Sequence, residues 1–147
     1  MNPKILCLDI ETAPAKVYTW GLWEQNVGIS QIIEDGYVLC WCAKWLGDSK
    51  VLSDSLINYP DYYKKNPTSD LKIAESIWKL VNEADIVVTH NGNNFDIKWL
   101  NTIFVQHGLK PVSPFKSVDT YVVVKNKFRF ISNKMDFICK KLDLGRK

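Results

Sequence analysis

The chain has 147 residues, which is enough for one domain with a hydrophobic core. Its content of 46% apolar and 24% charged residues is typical of a globular protein and excludes an intrinsically disordered chain. No apolar run approaches the roughly 18 residues that span a membrane, and the N-terminus lacks the pattern of a secretory signal. We therefore predict a cytoplasmic protein that does not bind membranes.

The net charge of +3 is unevenly distributed. Residues 116–147 carry nine basic and three acidic residues, a net charge of +6, whereas the rest of the chain carries ten basic and thirteen acidic residues, a net charge of −3. A basic segment beside an acidic body is typical of a protein that binds a phosphate backbone. A solvated helical face rich in lysine explains the same pattern.

The cysteines do not form a recognisable metal or disulfide framework, because their spacing fits neither. We predict buried free thiols, as in a reducing compartment, at Cys7, Cys40, Cys42 and Cys139.

The first predicted strand runs from Lys4 to Thr12 and ends in two carboxylates. Five of the six residues between Lys4 and Glu11 are apolar, which predicts a central strand covered on both faces. Asp9 and Glu11 are two residues apart, so their side chains point to the same face. Two adjacent carboxylates repel unless a cation lies between them. The pair therefore predicts a site for a hard divalent metal ion.

Residues 13–36 show no clean periodicity and are predicted to form a long loop beside the two acids, as one wall of a cleft. Trp20 and Trp23 in this loop could stack on nucleic-acid bases, but the favoured prediction for both is burial. Strands are predicted over 37–45 and 50–53, joined by a turn at Gly47-Asp48.

The second half alternates helices and strands. Apolar spacing predicts helices over 70–83, 95–107 and 134–142, with strands over 86–88 and 116–120. The whole order predicts an α/β fold with a mixed five-stranded sheet, made of a three-strand antiparallel meander plus two parallel strands, flanked by helices. Asp96 lies in the first turn of the second helix, at the sheet edge where open α/β sheets bind ligands. A carboxylate at this place also gains from the helix dipole, so a purely structural role is the alternative.

Two motifs resemble those of a known family. Asp9-Ile10-Glu11-Thr12 resembles the first motif of DEDD-type 3′–5′ exonucleases, which have an RNase H-like fold. Asn91-Gly92-Asn93-Asn94-Phe95-Asp96 resembles their second motif, in the form found in the proofreading domain of B-family DNA polymerases. The resemblance implies an RNase H-like domain that removes nucleotides from the 3′ end of single-stranded DNA or RNA, with DNA favoured.

The resemblance also implies roles for individual residues. Asp9, Glu11 and Asp96 would be the catalytic acids and would bind Mg²⁺ or Mn²⁺ in a two-metal site. The substrate-binding residues would be Thr12, Asn91 and Phe95, and Asp119 is a candidate for supporting the metal site without binding the metal itself. Each of these four also has a structural alternative: capping the strand end, fixing a turn, or packing in the core. His90 is predicted to be a hydrogen-bonded turn residue and His107 a surface residue or a favourable charge at a helix end.

The third motif of the family is absent from this sequence. It supplies a fourth acid with Tyr four residues before it or His five residues before it. The acids after Asp96 are Asp119, Asp136 and Asp143, and neither residue stands at the required position before any of them. We therefore predict a domain shortened by its final helix, in which the three acids alone hold one metal ion weakly. Activity would be poor unless a second chain or a missing C-terminal segment supplies the fourth acid.

Two other functions stay open at this point. One is a non-catalytic module of the same fold that binds nucleic acid or a partner through the basic segment. The other is an RNase H-like endonuclease, which would cut circular substrates that an exonuclease leaves intact.

Overall fold

The computed structural model describes residues 2–23 and 25–145. Its first half is built mainly of strands: β1 (Ile5–Ala13), β2 (Lys16–Val17), β3 (Ile32–Glu34), β4 (Tyr37–Trp45) and β5 (Leu52–Ser55). Short 3-10 turns lie at Ile29–Gln31 and Leu56–Asn58. The second half contains α1 (Pro60–Lys65), α2 (Leu71–Glu83), β6 (Ile86–Thr89), α3 (Asp96–Gln106), β7 (Lys116–Asp119), α4 (Thr120–Lys127) and α5 (Met135–Lys141).

The main sheet has five strands in the order β5-β4-β1-β6-β7. β1, β4 and β5 form an antiparallel meander, while β6 is parallel to β1 and β7 is parallel to β6. The predicted α/β fold is therefore confirmed, including the three antiparallel and two parallel strands. β1 occupies the centre of the sheet, as its apolar composition predicted.

One face of the sheet carries the hydrophobic core. Leu6, Leu8 and Ile10 of β1 are buried on this face, together with apolar residues of α2 and α3. Trp41 of β4 lies opposite Ile10 and donates a hydrogen bond from Nε1 to Ser76 Oγ of α2, at 2.9 Å, which marks the side that the helices cover.

The opposite face of β1 is more open than predicted. Cys7 and Asp9 are half-buried and Glu11 is exposed, so the prediction of a strand covered on both faces was wrong. A cavity of about 430 Å³ lies on this face, lined by residues of β1, β4, β6 and the start of α5. The prediction of buried thiols was also wrong, because Cys42 is exposed and the other three cysteines are half-buried.

Residues 14–23 and 25–35 belong to an arm in which β2 and β3 pair as a two-stranded antiparallel ribbon. The predicted burial of the arm's tryptophans was wrong, since Trp20 is 98% exposed and Trp23 is 83% exposed. The helices α1 and α4 are further elements that the sequence reading missed. None of the helices within the described residues is long and apolar enough to cross a membrane.

Candidate active site

Asp9 and Glu11 lie near the end of β1, on the open face of the sheet. Each faces a cysteine of the antiparallel neighbour β4, with Asp9 opposite Cys42 and Glu11 opposite Cys40. The register shifts between Glu11 and Thr12, so a β-bulge follows the second acid directly. Bulges re-aim side chains at the edges of sheets, and this one lies where the chain leaves the sheet for the arm.

Asp96 is brought to the same edge by the start of α3. Its side chain is only 3% exposed, and its Oδ1 accepts a hydrogen bond from the backbone N–H of Ile10 at 3.1 Å. The pairing between β1 and β6 ends at Cys7 and Val88. The N–H of Ile10 lies beyond that pairing, and the carboxylate of Asp96 accepts its hydrogen bond. Asp96 therefore contacts the backbone between the two acids of β1. A carboxylate whose only role was to interact with the dipole of its own helix would not need this contact with β1.

The loop between β6 and α3 is held by the buried carboxylate of Asp119. Oδ1 accepts hydrogen bonds from the N–H groups of Asn91 at 2.7 Å and Tyr121 at 3.0 Å, and Oδ2 accepts one from Asn93 at 3.2 Å. Asn91 has a φ of 65°, in the left-handed region that asparagine tolerates better than most residues. Asp119 thus fixes the shape of the loop that leads into Asp96.

Phe95 immediately precedes α3 and is 40% exposed, so it is not a core residue. Its ring meets the ring of Trp99 edge to face, with centroids 6.4 Å apart and planes at 62°. Thr12 is half-buried beyond the bulge, and the Oδ1 atom of Asn91 accepts a hydrogen bond from Asn94 Nδ2 at 3.3 Å. Thr12, Asn91 and Phe95 therefore belong to segments that flank the three acids.

The two histidines take different places. His90 is a hydrogen-bonded turn residue as predicted, with Nδ1 2.9 Å from Thr120 Oγ1 and Nε2 3.0 Å from the carbonyl oxygen of Asn133. His107 lies at the C-terminal end of α3 as predicted, but it is not a surface residue, because its Nε2 lies 2.6 Å from Oδ1 of the buried Asp70. Asp70 Oδ2 also accepts a hydrogen bond from the N–H of Val38, at 2.8 Å, so this pair links α3 to β4.

The two acids of β1 affect the thiol beside them. Burial raises the pKa of Cys40, and the negative charges of Glu11 and Asp9 raise it further, against a smaller opposite effect of a backbone hydrogen bond from Glu11. Cys40 is therefore a neutral thiol at physiological pH rather than a nucleophile.

The donor set at this edge consists of carboxylates, which suit a hard divalent cation. Within residues 2–23 and 25–145, no three His, Cys, Asp or Glu side chains are grouped closely enough to hold a metal ion. The backbone positions of Asp9, Glu11 and Asp96 adjoin one another, and Glu11 is exposed, which leaves it room to change rotamer. Carboxylate donors suit a divalent metal ion, and the three side chains would have to move closer together to bind one.

Trp99 contacts the ring of Phe95, and Lys98 is the exposed residue before it; neither was predicted from the sequence. They follow Phe95 by three and four residues, so they share its face of α3. That spacing was visible in the sequence, but the apolar stripe on the other face of the helix dominated the interpretation.

Residues 42–147 match the family model described as the RNase H superfamily. The chain is 28% identical over 153 aligned residues to a PolC-type DNA polymerase III from Ureaplasma parvum serovar 3, covering 97% of this chain and 10% of the relative. Among solved structures it resembles the family B DNA polymerase of the archaeon Pyrobaculum calidifontis, with a TM-score of 0.67 and 16% identity, over 99% of this chain and 19% of that one. The chain thus spans only a tenth of the length of the curated relative.

Proposed function

Because the chain belongs to the RNase H superfamily, we propose that it is a metal-dependent 3′–5′ exonuclease that shortens single-stranded nucleic acid, with DNA as the favoured substrate. The observation that carries this proposal is the hydrogen bond from Ile10 N–H to Asp96 Oδ1, which joins the third acid to the strand segment that bears Asp9 and Glu11. The relatives are DNA polymerases, which supports a nucleic-acid substrate.

In this proposal the three acids at the end of β1 bind the metal from two sides. Asp9 and Glu11 bind divalent metal from the open face, and Asp96 binds from the start of α3. Mg²⁺ or Mn²⁺ would activate water and stabilise the charge that develops on the scissile phosphate. Thr12 and Asn91 hold the terminal nucleotide, and Phe95 presents its exposed ring to the terminal base. Asp119 acts indirectly, by holding the backbone of Asn91 and Asn93.

A non-catalytic binding module of the same fold is the second candidate. It is favoured by one observation: residues 116–147 carry nine basic and three acidic residues, a charge that suits binding of a phosphate backbone. It predicts binding without cleavage and no dependence of binding on Asp9. A fourth acid supplied by another chain or segment would decide the matter in favour of catalysis.

The test uses single-stranded DNA labelled at its 5′ end, with and without Mg²⁺ or Mn²⁺. We expect stepwise shortening from the 3′ end, complete loss with EDTA, recovery on adding metal, and loss in Asp9→Asn. Asp48→Asn, an isosteric change at an exposed turn residue, is the matched control and should keep full activity. Shortening that survives EDTA, or cutting of a circular single strand, would overturn the proposal. Binding of the same DNA without any shortening would favour the non-catalytic module.

A further inference from the structure

The arm leaves the sheet after β1 with most of its large apolar side chains exposed. Trp20 and Trp23 stand in solvent, and Leu22 and Ile29 are each 90% exposed. Single apolar residues are common on protein surfaces, but an exposed group of this size marks a place where another molecule binds. The arm therefore carries a docking surface.

The ribbon of the arm also lacks a covering element. A two-stranded ribbon is at best marginally stable in water and is stabilised when its apolar side chains pack against something else. β2 and β3 contribute only two and three residues, and Ile32 and Ile33 of β3 are exposed. These side chains stay exposed in the single chain, so a surface that covers them has to come from another molecule.

Hydrogen bonds within the arm fix the shape of this surface. The N–H of Tyr18 donates to the carbonyl oxygen of Gln31, and Gln31 Nε2 donates to the carbonyl oxygen of Tyr18, both at 2.8 Å. Oε1 of the same glutamine accepts a hydrogen bond from the N–H of Gly28, also at 2.8 Å. A cavity of about 340 Å³ lies beside these bonds, lined by Tyr18, Thr19, Trp20 and Gln31. The arm thus offers a pocket that is ordered before a partner binds, which lowers the entropic cost of binding.

The charge of the arm decides which kind of partner fits it. Residues 14–35 contain three acidic residues, Glu24, Glu34 and Asp35, and one basic residue, Lys16, a net charge of −2. Lys16 is already paired with Glu34, with Nζ 2.9 Å from Oε2. A phosphate backbone would be repelled by this charge, so the arm is a poor site for nucleic acid in spite of its tryptophans. A partner with a basic and apolar surface fits instead.

The chain itself carries such a surface in its α4–α5 segment, which we define as residues 125–134. Phe128 and Ile131 of this segment are 58% and 97% exposed. The segment is anchored to the end of β6, since the carbonyl oxygen of Asn133 lies 3.0 Å from Nε2 of His90. It has no acidic residue and a net charge of +4, from Lys125, Lys127, Arg129 and Lys134. Apolar side chains framed by positive charge complement the apolar and acidic arm.

We propose that the arm of one copy docks on the α4–α5 segment of a second copy, and that the reciprocal contact closes a two-fold symmetric dimer. A tryptophan side chain buries roughly 150–250 Å², so the four arm tryptophans of two copies would supply about half of the roughly 1,600 Å² of a specific interface. The other exposed apolar residues of both surfaces supply the rest. This dimer goes beyond the proposed exonuclease function and does not depend on it.

The experiment is sedimentation velocity of the whole chain over a range of protein concentrations, without substrate. We expect a monomer–dimer equilibrium that weakens as salt is added, because salt screens the complementary charges. Ile29→Lys adds positive charge to the arm, which would face the basic α4–α5 segment, and Ile131→Asp adds negative charge to that segment, which would face the acidic arm. Each variant should raise the Kd of the dimer at least about 100-fold, since the dimer contains the altered contact twice and like charges at one contact cost about tenfold or more.

Matched controls separate the two surfaces from general effects of charge. Ile57 is 82% exposed on the 3-10 turn Leu56–Asn58, outside both surfaces, so Ile57→Lys and Ile57→Asp should leave the dimer intact. Thermal unfolding should be unchanged in all four variants, because each replaces an exposed side chain. An equal mixture of Ile29→Lys and Ile131→Asp should form a mixed dimer, since one of its two contacts is unaltered and the other brings opposite charges together.

Several results would overturn the proposal. One is an unaltered protein that stays monomeric at every concentration, and another is a dimer that Ile29→Lys and Ile131→Asp weaken no more than the Ile57 variants do. Loss of the dimer in both variants without recovery in their mixture would show that each surface meets its own counterpart instead. Labelled oligothymidylate that binds the unaltered protein but not Trp20→Ala would assign the arm to nucleic acid and would also contradict the dimer contact.

Discussion

At the scale of single residues, Asp96 has two separable roles. Its buried carboxylate satisfies the N–H of Ile10, which is structural, and it supplies a negative charge at the sheet edge, which the proposed chemistry requires. Asparagine keeps an oxygen acceptor but loses the charge, whereas alanine loses both.

We therefore predict that Asp96→Asn and Asp96→Ala lose exonuclease activity alike but differ in stability. Both should lose at least about 100-fold in kcat, because a metal ligand matters at least as much as the groups that orient it. Asp96→Ala should also lose about 1–3 kcal/mol in the free energy of unfolding, since it leaves a buried N–H without its acceptor. Urea unfolding measures the second effect. Equal stability of the two variants would show that the contact with Ile10 is unimportant.

Another buried carboxylate, Asp54, lies on β5, away from the proposed chemistry. Burial raises the pKa of this group, but hydrogen bonds from Tyr59, Asn58, Ser76 and the backbone of Ser55 outweigh burial, and the net result is a lowered pKa. The hydrogen bond from Tyr59 Oη to Asp54 Oδ2, at 2.6 Å, is the largest cause that raises the pKa of Tyr59 to about 12.

The raised pKa of Tyr59 predicts a pH dependence. A group whose folded-state pKa is raised stabilises the protein fully below its unfolded-state pKa of about 10, and this contribution is lost as the pH rises through about 12. Tyr59→Phe should cost about 1–2 kcal/mol at pH 7, since the hydrogen bond to a charged partner is lost. The difference in unfolding free energy between wild type and variant should shrink between pH 10 and pH 12. A difference that stays constant over that range would contradict this account.

Three residues show where prediction from the sequence fails at this scale. The environment of His107 depends on Asp70, which is 37 positions away, and no local pattern encodes that contact. Trp20 and Trp23 were predicted to be buried because large aromatic residues usually are, but the arm that carries them packs little of its surface.

At the scale of elements, the loop from Thr89 to Phe95 depends on glycine as well as on Asp119. Gly92 is buried, and a Cβ atom there would collide with the side chain of Thr89. The loop closes through backbone hydrogen bonds from Phe95 N–H to the carbonyl of Asn91, at 3.2 Å, and from Ile97 N–H to the carbonyl of Gly92, at 2.9 Å. A displaced residue 92 would therefore move the start of α3.

We predict that Gly92→Ala lowers both stability and activity. The collision should cost about 1–3 kcal/mol, as overpacking does, and the displaced helix start should move Asp96 from β1. Thermal unfolding and the exonuclease assay measure the two effects. Gly28→Ala is the control, because Gly28 has a φ of −81° and a Cβ atom there would lie no closer than 3.5 Å to its nearest neighbour, Gln31 Oε1. Unchanged activity in Gly92→Ala would show that the loop has more freedom than its contacts indicate.

Helices and strands were predictable from the sequence where the local residue pattern agrees with the burial of the residues. The strand over 37–45 was predicted with the bounds that β4 has, because its residues are rich in aromatic and β-branched types and end at a glycine turn. α1 was not predicted, although Pro60 suits the first position of a helix. β2 and β3 were missed because two or three residues of an exposed ribbon leave no periodicity to detect.

At the scale of the whole molecule, the antiparallel meander and the two parallel strands were predicted from the order of the elements. Asp96 was placed at the ligand-binding edge of the sheet because its helix directly follows a buried strand. What the sequence could not supply was the rotamer of each acid and the path of the arm, because both depend on contacts between distant segments.

The uneven charge predicts how binding responds to salt. If the basic segment 116–147 contacts phosphates, affinity for single-stranded DNA should fall linearly with salt on logarithmic axes. Replacing exposed lysines of this segment, Lys125→Glu and Lys140→Glu, should each reduce the slope by about one, whereas Lys64→Glu on α1 should leave it unchanged. Anisotropy titrations at several salt concentrations measure these slopes. Equal slopes for all variants would favour the alternative of a merely solvated basic face.

The hydrogen bonds that Asp119 accepts from the loop at Asn91 affect when the site forms during synthesis of the protein. All the acids proposed to act are translated by residue 96, but the carboxylate that shapes the preceding loop arrives more than twenty residues later, at the end of β7. A nascent chain on the ribosome therefore contains Asp9, Glu11 and Asp96 before it contains Asp119, which holds the loop that precedes Asp96. In the proposed exonuclease, the site would therefore take its final shape only after residue 119 has been made.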